Sequence, residues 1–230
     1  MNYPEDNGQE YGNKPYVDIV AHSKKDEELE LLVNKIHTEL SQVRIGDWGG
    51  GNGILANRLL ELCPSSISEI AIIDVDDTKF ISRQKIDNID ADVRTYTPKD
   101  KLDYSMTRNV LHYLHSRDQE IFIRNMLYNT DKYSLIMNVV YPGDYIMERF
   151  ESSLMDIKNV YRNFPSYESL ECMIQKSHKI IDSKLLTTPE FDYFNFYKSR
   201  FNLRDDEAEL LFKTGMPKVG EYRTVIFLCK

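Results

Sequence analysis

The residues of this chain whose types and spacing could do chemistry gather in one stretch, Arg44 to Gly53, which reads RIGDWGGGNG. Its frame is Asp47-x-Gly49-x-Gly51-x-Gly53, with Trp48, Gly50 and Asn52 between. Glycines this dense after a strand serve a backbone that must turn with positive φ or lie against a ligand with no side chain between. A second acid, Asp74, stands near the end of the apolar run Ile70 to Val75, IAIIDV. Acids at two neighbouring strand ends can hold hydroxyl and ammonium groups, and the first N–H groups of the helix after the loop are unpaired and point into the same place. No Gly-Lys-Ser or Gly-Lys-Thr follows the glycines. A P-loop needs that lysine to hold phosphate, so it is excluded.

Further candidates follow in order. Asp92 and Val93 lie in DADV, with Asp90 as the alternative acid in a different register. Arg108 precedes the stretch NVLHYL, which brings His112 and, three residues later, His115. Two histidines at that spacing suit a metal, but no third ligand accompanies them and no metal site is assigned. His112 at the mouth of the sheet and Tyr141 just past the fifth strand are candidate catalytic residues, as general base or acceptor contact, set against a structural role that the sequence favours for both. Trp48 reads as core.

The elements that must position these residues form an alternating pattern. Leu29, Leu32, Val33, Ile36 and Leu40 mark an amphipathic helix from Asp26, with Glu27, Glu28 and Glu30 near its start, where the dipole favours anions. Val43 to Trp48 is a strand, Ile54 to Leu62 a helix stopped at Cys63-Pro64, and Ile70 to Val75 a strand buried on both faces. A weak helix follows from Thr78, then a strand between Ile89 and Tyr96, then an unusually polar fourth strand, Lys101 to Thr107. Ser116 with Gln119 suggests a capping box for the next helix, and Ser134 to Val140 is a fifth strand. Beyond Gly143, Ile146, Phe150, Leu154 and Ile157 mark a helix, Ser166 caps another through Ile174, and Lys179 to Leu186 is a strand. Pro189 to Pro217 carries the aromatic run Phe191 to Phe201 and a short helix, and Tyr222 to Cys229 is the last strand.

The expected fold class is α/β: a Rossmann-like doubly wound sheet, mostly parallel with an antiparallel last strand, plus helical cap insertions. Residues 1–14 read as a disordered tail and 15–230 as a single domain: 26–142 the cofactor-binding core, 143–217 cap insertions and the sixth strand, 218–230 the final strand. The 230 residues suffice for one sizeable core and not for a second full domain. A net charge of −8 opposes a phosphate-rich partner, so the expectation is a small-molecule acceptor and no nucleic acid. Cys63, Cys172 and Cys229 lie far apart without CxxC spacing, which suggests neither disulfides nor zinc and suits a reducing, cytoplasmic setting. No run approaches the roughly 18 apolar residues of a membrane span, and the N-terminal MNYPEDNGQEYGN is unlike a signal peptide. Nothing in these features opposes a homodimer.

With these residues in place, the sequence resembles the class I S-adenosylmethionine-dependent methyltransferases, of the type acting on small molecules. GDWGGGNG matches their first motif, Asp74 in AIIDVDD the acid ending strand two, Asp92 in DADV the acid at the end of strand three, and RNVLHYL the turn after strand four. The resemblance covers residues 26–142 and returns at the last strand; the first motif is specific and the others support it. It implies S-adenosyl-L-methionine as cofactor, bound by Asp47, Gly49, Gly51, Asn52, Gly53, Asp74, Val75, Asp92, Val93 and Arg108. In that assignment Asp74 takes the ribose hydroxyls, the loop carbonyls and Asp47 the amino group, Val75 the adenine face and Asp92 the adenine amine. O- or N-methylation by in-line transfer is the implied reaction. Two alternatives stay open. Gly51-Asn52-Gly53-Ile54-Leu55-Ala56 also satisfies G-x-G-x-x-A, the signature of a nicotinamide or flavin oxidoreductase. The fold could also serve a regulatory binder or a different reaction.

Overall fold

The computed structural model describes residues 25–75, 83–140, 163–187, 203–213 and 223–230, with isolated positions between them. The described residues run α1 (Lys25–Ile36), β1 (Val43–Trp48), α2 (Ile54–Leu62), β2 (Ile67–Asp74), β3 (Ile86–Asp90), β4 (Leu102–Arg108), α3 (Ser116–Tyr128), β5 (Thr130–Val140), α4 (Tyr167–Gln175), β6 (Ile180–Thr187), α5 (Asp205–Lys213) and β7 (Arg223–Cys229), with a 3₁₀ turn at Leu111–Tyr113. The strands form one sheet in the order β3-β2-β1-β4-β5-β7-β6. All neighbouring pairs are parallel except those of β7, which is antiparallel to both β5 and β6. The expected doubly wound sheet with an antiparallel last strand is therefore present.

From β1 the chain moves outward through β2 and β3 and then returns to place β4 on β1's other side. The strand order reverses between β1 and β4, and a crevice opens at such a point outside the carboxyl ends of the strands. Asp47, the glycine loop and Arg108 all lie at those ends.

Helices cover both faces, which explains the near-continuous apolar runs in the strands. On one face Leu29, Leu32 and Ile36 of α1 and Leu55 and Leu59 of α2 pack with Val43, Ile45, Ile70, Ile72 and Met106. On the other, Phe122 and Met126 of α3 and Leu170 and Ile174 of α4 pack with Trp48, Ile73, Ile136, Val140 and Phe227. The polar composition of β4 is reconciled with its central place by specific partners. Ser105 Oγ accepts from the indole Nε1 of Trp48 at 3.0 Å and from Thr130 Oγ1 at 2.7 Å, and Tyr104 donates to Glu39 Oε1 at 2.5 Å.

Several sequence expectations shift. The third strand spans Ile86–Asp90 rather than lying within Ile89 to Tyr96, because its register is set by pairing Ile70–Asp74 of β2 with Ile86–Asp90. α1 ends at Ile36, so Leu40 is off the apolar stripe and wholly exposed. The capping box at Ser116 does not form. His115 occupies the N-cap without a side-chain bond, and Gln119 is buried, donating instead to the carbonyls of Leu111, Leu114 and Asn163. Ser166 does cap α4, accepting from the Ser169 amide at 3.0 Å. The aromatic run 191–201, the helix expected from Ile146, the weak helix from Thr78 and the N-terminal tail lie wholly or mostly outside the described residues.

Gly46 sits in β1 where a Cβ would lie 2.5 Å from Leu102 Cδ1 and 2.6 Å from Trp48 Nε1. Gly46→Ala is expected to cost roughly 1–3 kcal/mol through overpacking, read as a lowered urea midpoint at unchanged m-value.

Candidate functional site

The glycine loop turns through three positive-φ residues, Gly49 at 73°, Gly51 at 53° and Gly53 at 67°. The Gly49 amide donates to Ile73 O at 2.7 Å, carrying the β1–β2 pairing one residue past the strand. The glycines answer to different neighbours. A Cβ at Gly49 would strike the Val110 side chain, and one at Gly50 would lie 2.6 Å from the Asp47 carboxylate. At Gly51 a Cβ would meet nothing within 4 Å. The first two are required by the protein's own packing, whereas Gly51 turns bare backbone toward open space at the crevice, the geometry of a cradle.

Two carboxylates hold this cradle. Asp47 is 1% exposed and accepts from the Ala56 N–H, satisfying an amide in the first turn of α2 that the N-cap, Gly53, has no side chain to reach. Burial and, next, the charge of Asp74 push the Asp47 carboxyl up to about 7, opposed by the Ala56 bond and the charge of Arg108. Its Oδ2 is buried without a hydrogen-bond partner among the described residues. Asp74, at the end of β2, accepts from the Gly51 amide at 2.8 Å through Oδ2. A carboxylate offers about four acceptor positions, so Asp74 can serve ligand hydroxyls as well as that amide.

The remaining candidates are placed around this corner. Asn52 is half-buried in the loop, and Val75 stands exposed just past β2. Arg108 closes β4, where its guanidinium pairs with the buried Glu28 of α1: Nε lies 2.8 Å from Oε2, and Nη2 donates to Oε1 at 3.2 Å. Asp92 lies two residues past β3 and is taken up by Arg94, whose backbone amide and guanidinium both donate to it; the same arginine reaches Asp118 at 3.0 Å. That bonding holds the Asp92 carboxyl below its ordinary range. Asp90, the last residue of β3, pairs in register with Asp74 and is exposed. Val93 turns its side chain into the core with Trp48, and its carbonyl accepts from Asn125. His112 is 8% exposed, its ring against Tyr113 and stacked on Phe164 at 4.8 Å. His115 is exposed, and Tyr141 lies outside the described residues. Among the described residues no group of three His, Cys, Asp or Glu could hold a metal ion, and no helix is long and apolar enough to cross a membrane.

No protein-family model and none of the curated proteins matches the chain. Solved structures do. A candidate methyltransferase of Bacillus halodurans C-125 superposes with a TM-score of 0.68 at 11% identity, covering 86% of this chain and 96% of that one. The fold is that of the class I methyltransferases. Magnesium protoporphyrin IX methyltransferase from Synechocystis PCC 6803, solved with S-adenosylhomocysteine bound, gives 0.62 at 11% identity over 95% of this chain and 89% of that one. The [4+2]-cyclase SpnF gives 0.65 at 14% identity, over 97% and 94%.

Two site residues escape the sequence rules. Glu28 reads there as one of several acids favoured by the helix dipole, yet it is 3% exposed and meets Arg108. The signal available was its position one turn before Leu32, inside the apolar stripe of α1. Asn109 has a φ of 57°, and its Oδ1 accepts from the Val139 amide at 3.0 Å, tying the ends of β4 and β5 together. Asparagine tolerates that conformation better than most residues.

Because the folded pKa of Asp47 is raised above its unfolded value near 3.8, the native state retains a proton that the unfolded chain releases. Stability linked to this group is complete below pH 4 and declines as pH rises toward 7. Asp47→Asn, which keeps an acceptor for Ala56, removes the penalty. Its stability relative to the parent should improve by up to about 1.4 kcal/mol per pH unit across that window, measured by denaturant unfolding at several pH values.

Proposed function

We propose that the protein is an S-adenosylmethionine-dependent methyltransferase acting on a small-molecule acceptor at oxygen or nitrogen. The observation that carries this reading is the cradle itself: bare Gly51 backbone facing open space between two acids, with no lysine placed for phosphate. Asp74 takes the ribose hydroxyls in addition to the Gly51 amide. Asp47, buried and short of one hydrogen bond at Oδ2, suits the amino group together with the loop carbonyls. Exposed Val75 offers an apolar face for adenine, and Asp92, held by Arg94, with the Val93 main chain, lines the adenine side. Gly49, Asn52 and Gly53 shape the loop, and Arg108 stands at the end of β4 facing the same corner.

When bound, S-adenosylmethionine supplies a methyl group already activated by its sulfonium. The chain's work is then to align the acceptor and exclude water, which lowers the barrier chiefly through orientation. We read His112, buried and stacked on Phe164 beyond β4, as a wall of the acceptor side, and with Tyr141 it is the residue to test for proton removal. The acidic net charge favours acceptors without phosphate. The cyclase among the structural relatives shows that this fold also serves reactions other than methyl transfer. That is the second reading.

Isothermal titration should show binding of S-adenosylmethionine and S-adenosylhomocysteine and none of NAD. Asp74→Asn should weaken both by roughly ten- to hundredfold, as expected for lost hydrogen bonds to a charged group. Binding of NAD alone would sink the proposal; cofactor binding without a product heavier by one methylene across an acceptor panel would favour the second reading. Gly51→Ala should cost only about 1–2 kcal/mol of stability, the strain of a side chain at positive φ, yet abolish cofactor binding.

A further inference from the structure

The sheet ends at β6, an eight-residue strand reading IIDSKLLT that pairs with β7 and, among the described residues, with nothing on its outer side. Lys179 and Lys230, just outside the two strands, exchange both backbone bonds at 2.9 Å. Bonded pairs alternate along an antiparallel ladder. Counted from Lys230, the β7 residues bonded toward β6 are therefore Leu228, Ile226 and Thr224, which stand opposite Asp182, Lys184 and Leu186. Ser183 and Leu185, between them, turn their N–H and C=O groups outward. The Ser183 amide is held by its own neighbour, donating to Asp182 Oδ1 at 2.8 Å. Ile181, where the register shifts by one residue, and Leu185 are 40% and 43% exposed. A strand edge of this length, without proline and with exposed aliphatic side chains, is a template for another strand.

The side chains along the edge decide which strand fits. Laid antiparallel on itself about Ser183, the segment is self-complementary: Asp182 comes opposite Lys184 of the second copy, Ile181 opposite Leu185, and Ile180 opposite Leu186. Opposite charges directly across a strand pair attract, and like charges repel. Centring the pair on Lys184 instead would set lysine against lysine. A two-fold axis at Ser183 also lets its outward N–H and C=O form two mutual bonds, which releases the Asp182 carboxylate for the lysine. Lys184 donates to Glu30 of α1 at 2.9 Å, and an ammonium has three donors, so it can take a second carboxylate. The opposite edge of the sheet, β3, reads IDNID, with two acids and no base, so self-pairing there would gather like charges. We propose that β6 is the surface on which a second copy of this chain docks, antiparallel and about a two-fold axis at Ser183, joining two seven-stranded sheets into one. The contact is isologous, so it closes at two copies, and it is independent of the reaction assigned above.

Sedimentation velocity over a concentration series tests this, and the parent protein should dimerise. Asp182→Lys and Lys184→Glu each turn two symmetry-related attractions into repulsions and should each weaken the dimer by roughly tenfold or more. Glu30 is exposed and can turn away from the carboxylate that Lys184→Glu introduces. An equimolar mixture of the two variants should recover the dimer, because one copy then presents two bases and the other two acids; unfolded chains would not give that recovery. Ser183→Pro removes an amide that β7 does not use, so the fold should survive, as thermal unfolding checks, and the dimer should not. A monomeric parent overturns the proposal and leaves the edge to a strand from a different protein. A dimer that Ser183→Pro leaves intact overturns it by placing the interface on another face, and a mixture that stays monomeric overturns the pairing about Ser183.

Discussion

The site depends on one buried carboxylate. Asp47 lies under the loop that follows it, bonded to the first turn of the next helix and crowded by the second acid, Asp74. A charge in that place is costly unless donors surround it, and the chain supplies one amide and the field of one arginine. With its carboxyl pushed up to about 7 by burial and the charge of Asp74, Asp47 is only partly ionised at neutral pH, and a neighbouring cation would favour its charged form. The glycines follow from the same constraint: a side chain at Gly50 would displace the carboxylate, and one at Gly49 would displace Val110.

The sheet sets where this happens. Reversal of strand order between β1 and β4 brings the carboxyl ends of β1, β2 and β4 to one crevice, and apolar layers on both faces make those ends rigid. The proposed cofactor site lies where the sheet's packing stops and its strand ends carry acids and an arginine in place of aliphatic side chains. The partners that keep central β4 in place, Trp48 and Thr130 on Ser105 and Glu39 on Tyr104, show how a polar strand is accommodated in the middle of an apolar sheet.

Legibility in the sequence follows the range of the forces involved. The bounds of β1 and α2 agree with those read from the chain, because a glycine loop, an apolar period and a proline stop act on adjacent residues. The third strand lies earlier than its sequence suggests because IDNID carries no strong local pattern and takes its register from β2. The expected capping box at Ser116 is absent because Gln119 serves three carbonyls instead, one of them on the distant Asn163.

By itself the sequence determined the acid–glycine–acid corner, its lack of a phosphate-binding lysine, and the alternation that makes a doubly wound sheet, since each is a property of neighbouring residues. Only the tertiary structure decided that Glu28 is buried against Arg108, that the Arg94 bound to Asp92 also reaches Asp118, and that Gly51 rather than Gly49 or Gly50 faces open space. The cost or gain of burying a charge depends on which groups arrive from elsewhere in the chain, and Glu28 and Arg108 lie far beyond the reach of any helix-period or capping rule.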